Sequence, residues 1–161
     1  MEVTIGCTVG CEGRPAVGEG AMVGEGAGEG QKAAPDMSVF DMDDPRQLGM
    51  MGEELAAFYM EENGYTVCER NYRTPHGEAD MVCRKGDETV LVEVKTRRGD
   101  EAYPEEAVDR RKVRRYRRIT FDYLHDELWS EFVRFDVIAL NVVGPHCARL
   151  RHYVGVCAWE G

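Results

Sequence analysis

The strongest constraint in this chain is a short strand-like run, Val90-Leu91-Val92-Glu93-Val94-Lys95. Its β-branched character predicts a strand, and side chains alternate along a strand, so Val90, Val92 and Val94 point one way while Leu91, Glu93 and Lys95 point the other. An acid and a lysine two positions apart in an otherwise apolar strand are costly unless they are paired or solvated. The preceding run carries Asp80 between Ala79 and Met81. A hairpin through the turn from Lys85 to Glu88 would set Asp80 beside the strand, so that Asp80 and Glu93 share a face. Two carboxylates and a lysine then converge. Hard divalent cations take oxygen ligands, and Mg²⁺ characteristically binds one or two carboxylates together with waters and phosphate oxygens. Lys95 can stabilise phosphate charge or orient an attacking water. The plainer alternative is an exposed edge face on which Glu93 and Lys95 pair without any chemistry, and the pattern leaves both open.

The surrounding periodicities predict a single α/β domain. Leu48, Met51, Leu55, Phe58 and Tyr59 recur at helical spacing between Asp44 and Asn63, and Asn63-Gly64 supplies the stop. Strands follow at about Tyr65–Tyr72, Glu78–Arg84 and Thr89–Thr96, with turns at Thr74–Gly77 and Gly86-Asp87. A second helix is expected from near Pro104 to about Leu124, with Glu105 and Glu106 in its first turn. Strands at about Phe132–Val142 and Arg149–Val156 complete the order α-β-β-β-α-β-β, a mixed sheet with helices packed on it.

The first 43 residues are different in kind. Nine of the 18 glycines lie between Gly6 and Gly30, and Val17-Gly18-Glu19-Gly20-Ala21 is echoed by Val23-Gly24-Glu25-Gly26-Ala27. So little apolar surface cannot offset the backbone entropy, and a disordered tail over 1–43 preceding a domain over 44–161 is expected. Met1 to Arg46 holds nine acidic and three basic residues, so more than half of the net charge of −10 belongs to this end. That overall charge argues against nonspecific coating of nucleic acid but allows a local basic face. No run of 18 apolar residues is present and the N-terminus lacks signal-peptide features, so a cytoplasmic protein with no membrane partner is expected. The six cysteines form no C-x-x-C pair; Cys7 and Cys11 have no second pair to complete a zinc site, and buried free thiols are expected.

Several ordered motifs carry a resemblance. Gly52-Glu53, Arg70-Asn71-Tyr72-Arg73, Gly77-Glu78-Ala79-Asp80, Val92-Glu93-Val94-Lys95, Glu106-Ala107-Val108, Lys112 and Arg134-Phe135-Asp136-Val137 resemble the YraN-like family from about Leu48 to Val156. These small bacterial proteins are similar to archaeal Holliday-junction resolvases and to the PD-(D/E)XK nuclease superfamily. The resemblance implies a restriction-endonuclease-like core in which Glu53 matches the helix acid, Asp80 the motif aspartate, and Glu93 and Lys95 the E-x-K pair. It implies Asp80, Glu93 and Glu53 as metal ligands. Ala79 stands where the superfamily name has proline, a position that varies freely among such nucleases. The helix geometry alone does not select Glu53. At ~100° per residue it lies opposite Leu48, Leu55 and Tyr59, where an acid is usually just solvated.

Seven basic residues fall between Arg110 and Arg118. Plotted as a helix, Val108, Tyr116, Ile119, Thr120 and Tyr123 make one stripe, and Arg110, Arg111, Arg114, Arg115, Arg117 and Arg118 lie outside it. Such a run is normally a solvated face, yet arginine binds phosphate oxygens in a fork, and these side chains suit a DNA backbone. Lys112 lies on the inward stripe, where it can reach the sheet carboxylates or cover core with its stem; the family also carries a lysine there. His76 precedes Gly77-Glu78 and is placed to approach the acids. His125, His146 and His152 show no ligand spacing. The expectation is a Mg²⁺- or Mn²⁺-dependent endonuclease acting on DNA, as a monomer or a homodimer; the alternative is a catalytically idle nucleic-acid-binding or accessory protein on the same fold.

Overall fold

The computed structural model describes residues 2–6, 34–99, 110–126, 132–144 and 147–158. Among them run strand β1 (Glu2–Gly6), a 3-10 turn (Met37–Val39), helix α1 (Pro45–Glu62), strands β2 (Thr66–Thr74), β3 (Gly77–Lys85) and β4 (Glu88–Arg98), helix α2 (Arg110–Asp126), and strands β5 (Phe132–Gly144) and β6 (Cys147–Ala158). From α1 onward this is the expected order α-β-β-β-α-β-β. The α/β class and the mixed sheet hold.

Local chemistry explains the borders of α1. The Asp44 carboxylate accepts the Arg46 N–H at 2.9 Å, and Pro45 occupies the first turn, where its missing N–H costs nothing. At the other end the chain leaves through Gly64, whose φ of 82° favours glycine. The described start of α2 is Arg110; the expected start near Pro104 lies outside the described residues.

The strands form one sheet in the order β1-β6-β5-β4-β3-β2. β2, β3 and β4 are an antiparallel meander, β4 and β5 run parallel, and β6 pairs antiparallel with β5 and with β1. A parallel pair needs a crossover, and α2 lies within it. Each helix covers one face. Met51, Leu55 and Met60 of α1 pack on Met81, Val90, Val92, Ile138 and Leu140. On the other face Tyr116, Ile119 and Tyr123 of α2 pack on Val82, Leu91, Phe135 and Val137. Tyr116 lies stacked on Phe135 with centroids 4.1 Å apart. β4 is therefore an interior strand covered on both sides as far as Val92, and Glu93, which is buried, does not lie on an exposed edge face, whereas Lys95 pairs with it from a partly exposed position.

The domain begins earlier than Asp44. Met37 is 2% exposed within the α1-side core, with Phe40 and Met42 packed partly against it, and β1 adds an edge strand to β6. Composition averaged over the glycine-rich end concealed these three apolar residues. The repeat and the thiols Cys7 and Cys11 lie outside the described residues. Of the other thiols, all free, Cys83 and Cys157 are buried, Cys147 is half-buried, and Cys68 is exposed against expectation. Cys68 falls in the bulge between Val67 and Glu69, which turns it out of the regular alternation.

Candidate functional site

The site forms where β3 and β4 part. Their ladder runs from Lys85↔Glu88 to Met81↔Val92 and stops there. One residue further, the Asp80 carboxylate replaces the missing strand partner: its Oδ2 accepts the Val94 N–H at 2.6 Å. Glu93 projects toward the α2 side with Leu91 and is only 4% exposed. A buried carboxylate needs compensation, and Glu93 Oε1 receives it twice, from Lys95 Nζ at 2.5 Å and from Arg115 Nη2 at 3.2 Å. Among the described residues these contacts leave Asp80 Oδ1 and Glu93 Oε2 unengaged. The Asp80 carboxyl is pushed up to about 6, chiefly by burial; the Val94 N–H opposes the shift, Glu93 and Glu53 add to it, and Lys95 opposes it. Asp80, Glu93 and Lys95 are thus brought together as the spacing predicted.

Glu53 arrives by a different route. α1 crosses β4 so closely that a Cβ on Gly52 would stand 1.7 Å from Thr96 Oγ1. Glycine is required there, and the next side chain, Glu53, is carried toward the end of β4. Burial raises its carboxyl; Arg70 opposes this, Glu54 and Glu78 add to it, and Lys95 opposes it. Glu54 is paired with Arg70 at 2.6 Å. Among the described residues, however, no three His, Cys, Asp or Glu side chains are grouped closely enough to hold a metal ion. Glu53 shapes the field at the acids without completing a preformed three-acid set.

The basic helix divides. Arg110, Arg111, Arg114, Arg115, Arg117 and Arg118 are exposed, and Lys112 is half-buried. Arg115 turns inward to Glu93. At ~100° per residue Arg111 and Arg118 share its flank and Arg114 points outward, whereas Arg117 acts electrostatically on Cys157 of β6, away from the acids. His76 does not reach the acids. Its Nδ1 lies 2.8 Å from Asp122 Oδ2, tying the β2–β3 turn to α2.

The sequence of residues 52–140 matches the uncharacterised protein family UPF0102, a span from Gly52 into β5 that contains all the candidate residues. The chain belongs to the UPF0102 family. It is 45% identical over 100 residues to a UPF0102 protein of Syntrophomonas wolfei subsp. wolfei, covering 60% of this chain and 86% of that one. It is 40% identical over 111 residues to a UPF0102 protein of Syntrophus aciditrophicus, covering 68% and 87%. Among solved structures, Pyrococcus furiosus SfsA in complex with Ca²⁺ overlaps at a TM-score of 0.37 and 13% identity, covering 70% of this chain and 64% of that one. No helix among the described residues of this UPF0102 protein is long and apolar enough to cross a membrane.

A second charged cluster in this UPF0102 chain escaped the sequence reading. Asp136, fully buried on the α1 face, accepts from Arg134 Nε at 3.0 Å, from the Gly155 N–H at 2.8 Å, and lies 2.8 Å from His152 Nε2. His152 Nδ1 is 3.3 Å from the Tyr59 hydroxyl, and Arg134 also bonds Tyr65 and Glu88. Arg134-Phe135-Asp136 carries the same signal as Glu93-Val94-Lys95, two opposite charges at alternate positions of an apolar strand.

Proposed function

We propose that this protein is a divalent-cation-dependent endonuclease acting on DNA, with branched or damaged DNA as its substrate class. The observation that carries the reading is the convergence of Asp80, Glu93 and Lys95 at the parting of β3 and β4. Two carboxylates with unengaged oxygens are hard donors of the kind that suits Mg²⁺ or Mn²⁺, and the raised Asp80 carboxyl marks a place where added positive charge is favourable. Asp80 and Glu93 would hold the cation, with the Val94 main-chain carbonyl beside them. Bound there, it would polarise the phosphodiester and lower the pKa of a water. Lys95 supplies positive charge next to the scissile phosphate. Arg111, Arg114 and Arg118 hold the flanking backbone.

One observation favours the idle, binding-only alternative: Glu93 Oε1 is already shared by two cationic groups. The decisive experiment incubates the full chain with linear, single-stranded, flapped and four-way DNA, with Mg²⁺ or Mn²⁺ and with EDTA. Cleavage that needs the cation is expected, and Lys95→Ala should bind DNA normally while cutting at least ~100-fold more slowly. Arg114→Ala with Arg118→Ala should weaken binding and flatten its salt dependence by about one slope unit per lost phosphate contact. Tight binding with no cleavage of any substrate would leave the accessory role.

A further inference from the structure

Arg115 does something the other arginines of α2 do not. Its guanidinium reaches Glu93 Oε1 across the mouth of the site, with Cζ 5.3 Å from the Tyr116 ring centroid. Gly77 makes room for it: φ there is +144°, and a Cβ would lie 3.3 Å from Arg115 Cδ and 3.1 Å from Ile119 Cδ1. The glycine before Glu78-Ala79-Asp80 thus opens the channel along which the arginine stem lies.

We propose that Arg115 is a displaceable counter-ion: it neutralises Glu93 when no cation is bound, is released when a divalent cation takes that carboxylate, and then binds the DNA phosphate. This rests on the endonuclease reading of the same acids. A cation at Asp80 and Glu93 replaces the compensation that Glu93 now receives from side chains, leaving one cationic group in excess. Arg115 is the one free to leave. Its contact is 3.2 Å against 2.5 Å for Lys95, and, although the two side chains are about equally exposed, it comes from another element. Arg111 and Arg118, four residues before and three after, are its neighbours on the helix surface. Released among them, its fork suits a phosphate oxygen pair. Cation and phosphodiester then strengthen each other's binding, and linkage makes the effect reciprocal.

The test is Mn²⁺ titration by calorimetry of the full chain and of Arg115→Met, which keeps the stem against Gly77 and Ile119, each with and without a short phosphorothioate duplex. Without duplex, Arg115→Met should bind Mn²⁺ about tenfold more tightly than wild type; with duplex, wild type should gain about tenfold and the variant little. Arg117→Met makes the same charge change on the flank of α2 that faces Cys157, away from the acids, and should alter Mn²⁺ affinity less than about twofold. Equal or weaker Mn²⁺ binding by Arg115→Met, or an equal gain in Arg117→Met, overturns the counter-ion role. If that happens while Glu93→Gln abolishes Mn²⁺ binding, the endonuclease reading stands. Absence of Mn²⁺ binding in wild type and Arg115→Met alike removes both.

Discussion

Asp80 and Asp136 sit on opposite faces of one sheet and show how little burial alone decides. Asp136 is fully buried, yet its carboxyl is held below the ordinary carboxylate range. Burial pushes it up, and hydrogen bonds from His152, the Gly155 N–H and Arg134 outweigh that push. Asp80 is less buried, yet burial pushes its carboxyl up to about 6, because one backbone donor opposes the push and the negative neighbours Glu93 and Glu53 add to it. The first aspartate is satisfied by its own fold. The second is left short of positive charge on the face where α2 brings its arginines. A structural carboxylate and a candidate functional one therefore differ in how completely the protein answers their charge.

The largest test of this contrast is removal. Asp136→Ala leaves Arg134 and His152 facing an emptied, buried position, and should cost about 3–5 kcal/mol in urea unfolding. Asp80→Asn should do the reverse at pH 8, stabilising by roughly 1–2 kcal/mol once partial exposure is allowed for, because it removes a charge the fold disfavours. Equal destabilisation by both would break the comparison.

The pH profile separates them further. For Asp80 the folded value lies above the ordinary 3.8, so between about 4 and 6 the native state holds the proton more tightly. Its contribution to stability therefore falls as pH rises through that window and is level above it. Asp136 has the opposite sign: its contribution is present above the ordinary carboxylate value and is lost as pH falls through its lowered folded value. The stability of wild type relative to Asp80→Asn should accordingly drop by roughly 1–2 kcal/mol from pH 4 to pH 7, measured by urea unfolding at each pH. A flat difference would mean that Asp80 is as well compensated as Asp136.

Asp80 was legible in the sequence and Asp136's role was not, for a physical reason. Hairpin pairing across a short turn is local, so the count from Lys85 and Glu88 back to Asp80 and forward to Glu93 places both acids correctly. Asp136 depends on a bulge between Phe135 and Val137 and on Gly155, whose φ of 63° turns its N–H inward. No alternation rule reveals a slipped register. The helix plot likewise put all six arginines outside the apolar stripe, which is where they are, but an angle says nothing of how far a guanidinium reaches. Arg115 gets to Glu93 over a glycine on another element. Met37 was hidden because its core partners are distant in sequence and its neighbours' composition resembled the tail.

The smallest expected effect is also the one that bears most directly on function. A cation bound by Asp80 and Glu93 adds stability as RT ln(1 + [L]/Kd), about 1.4 kcal/mol at ten times Kd. For a domain of this size that corresponds to a Tm rise of roughly 3–6 °C. Mg²⁺ or Mn²⁺ should raise the Tm of wild type by about that much at pH 8 and raise that of Asp80→Asn much less. Protons compete for the same carboxylate, so the wild-type shift should shrink when measured at pH 5, below the raised Asp80 value. Asp136 offers no such competition, because its oxygens are already occupied by Arg134, His152 and Gly155. A cation shift that is equal in wild type and Asp80→Asn, or indifferent to pH between 5 and 8, would place any bound cation away from Asp80 and return that aspartate to the same structural role as Asp136.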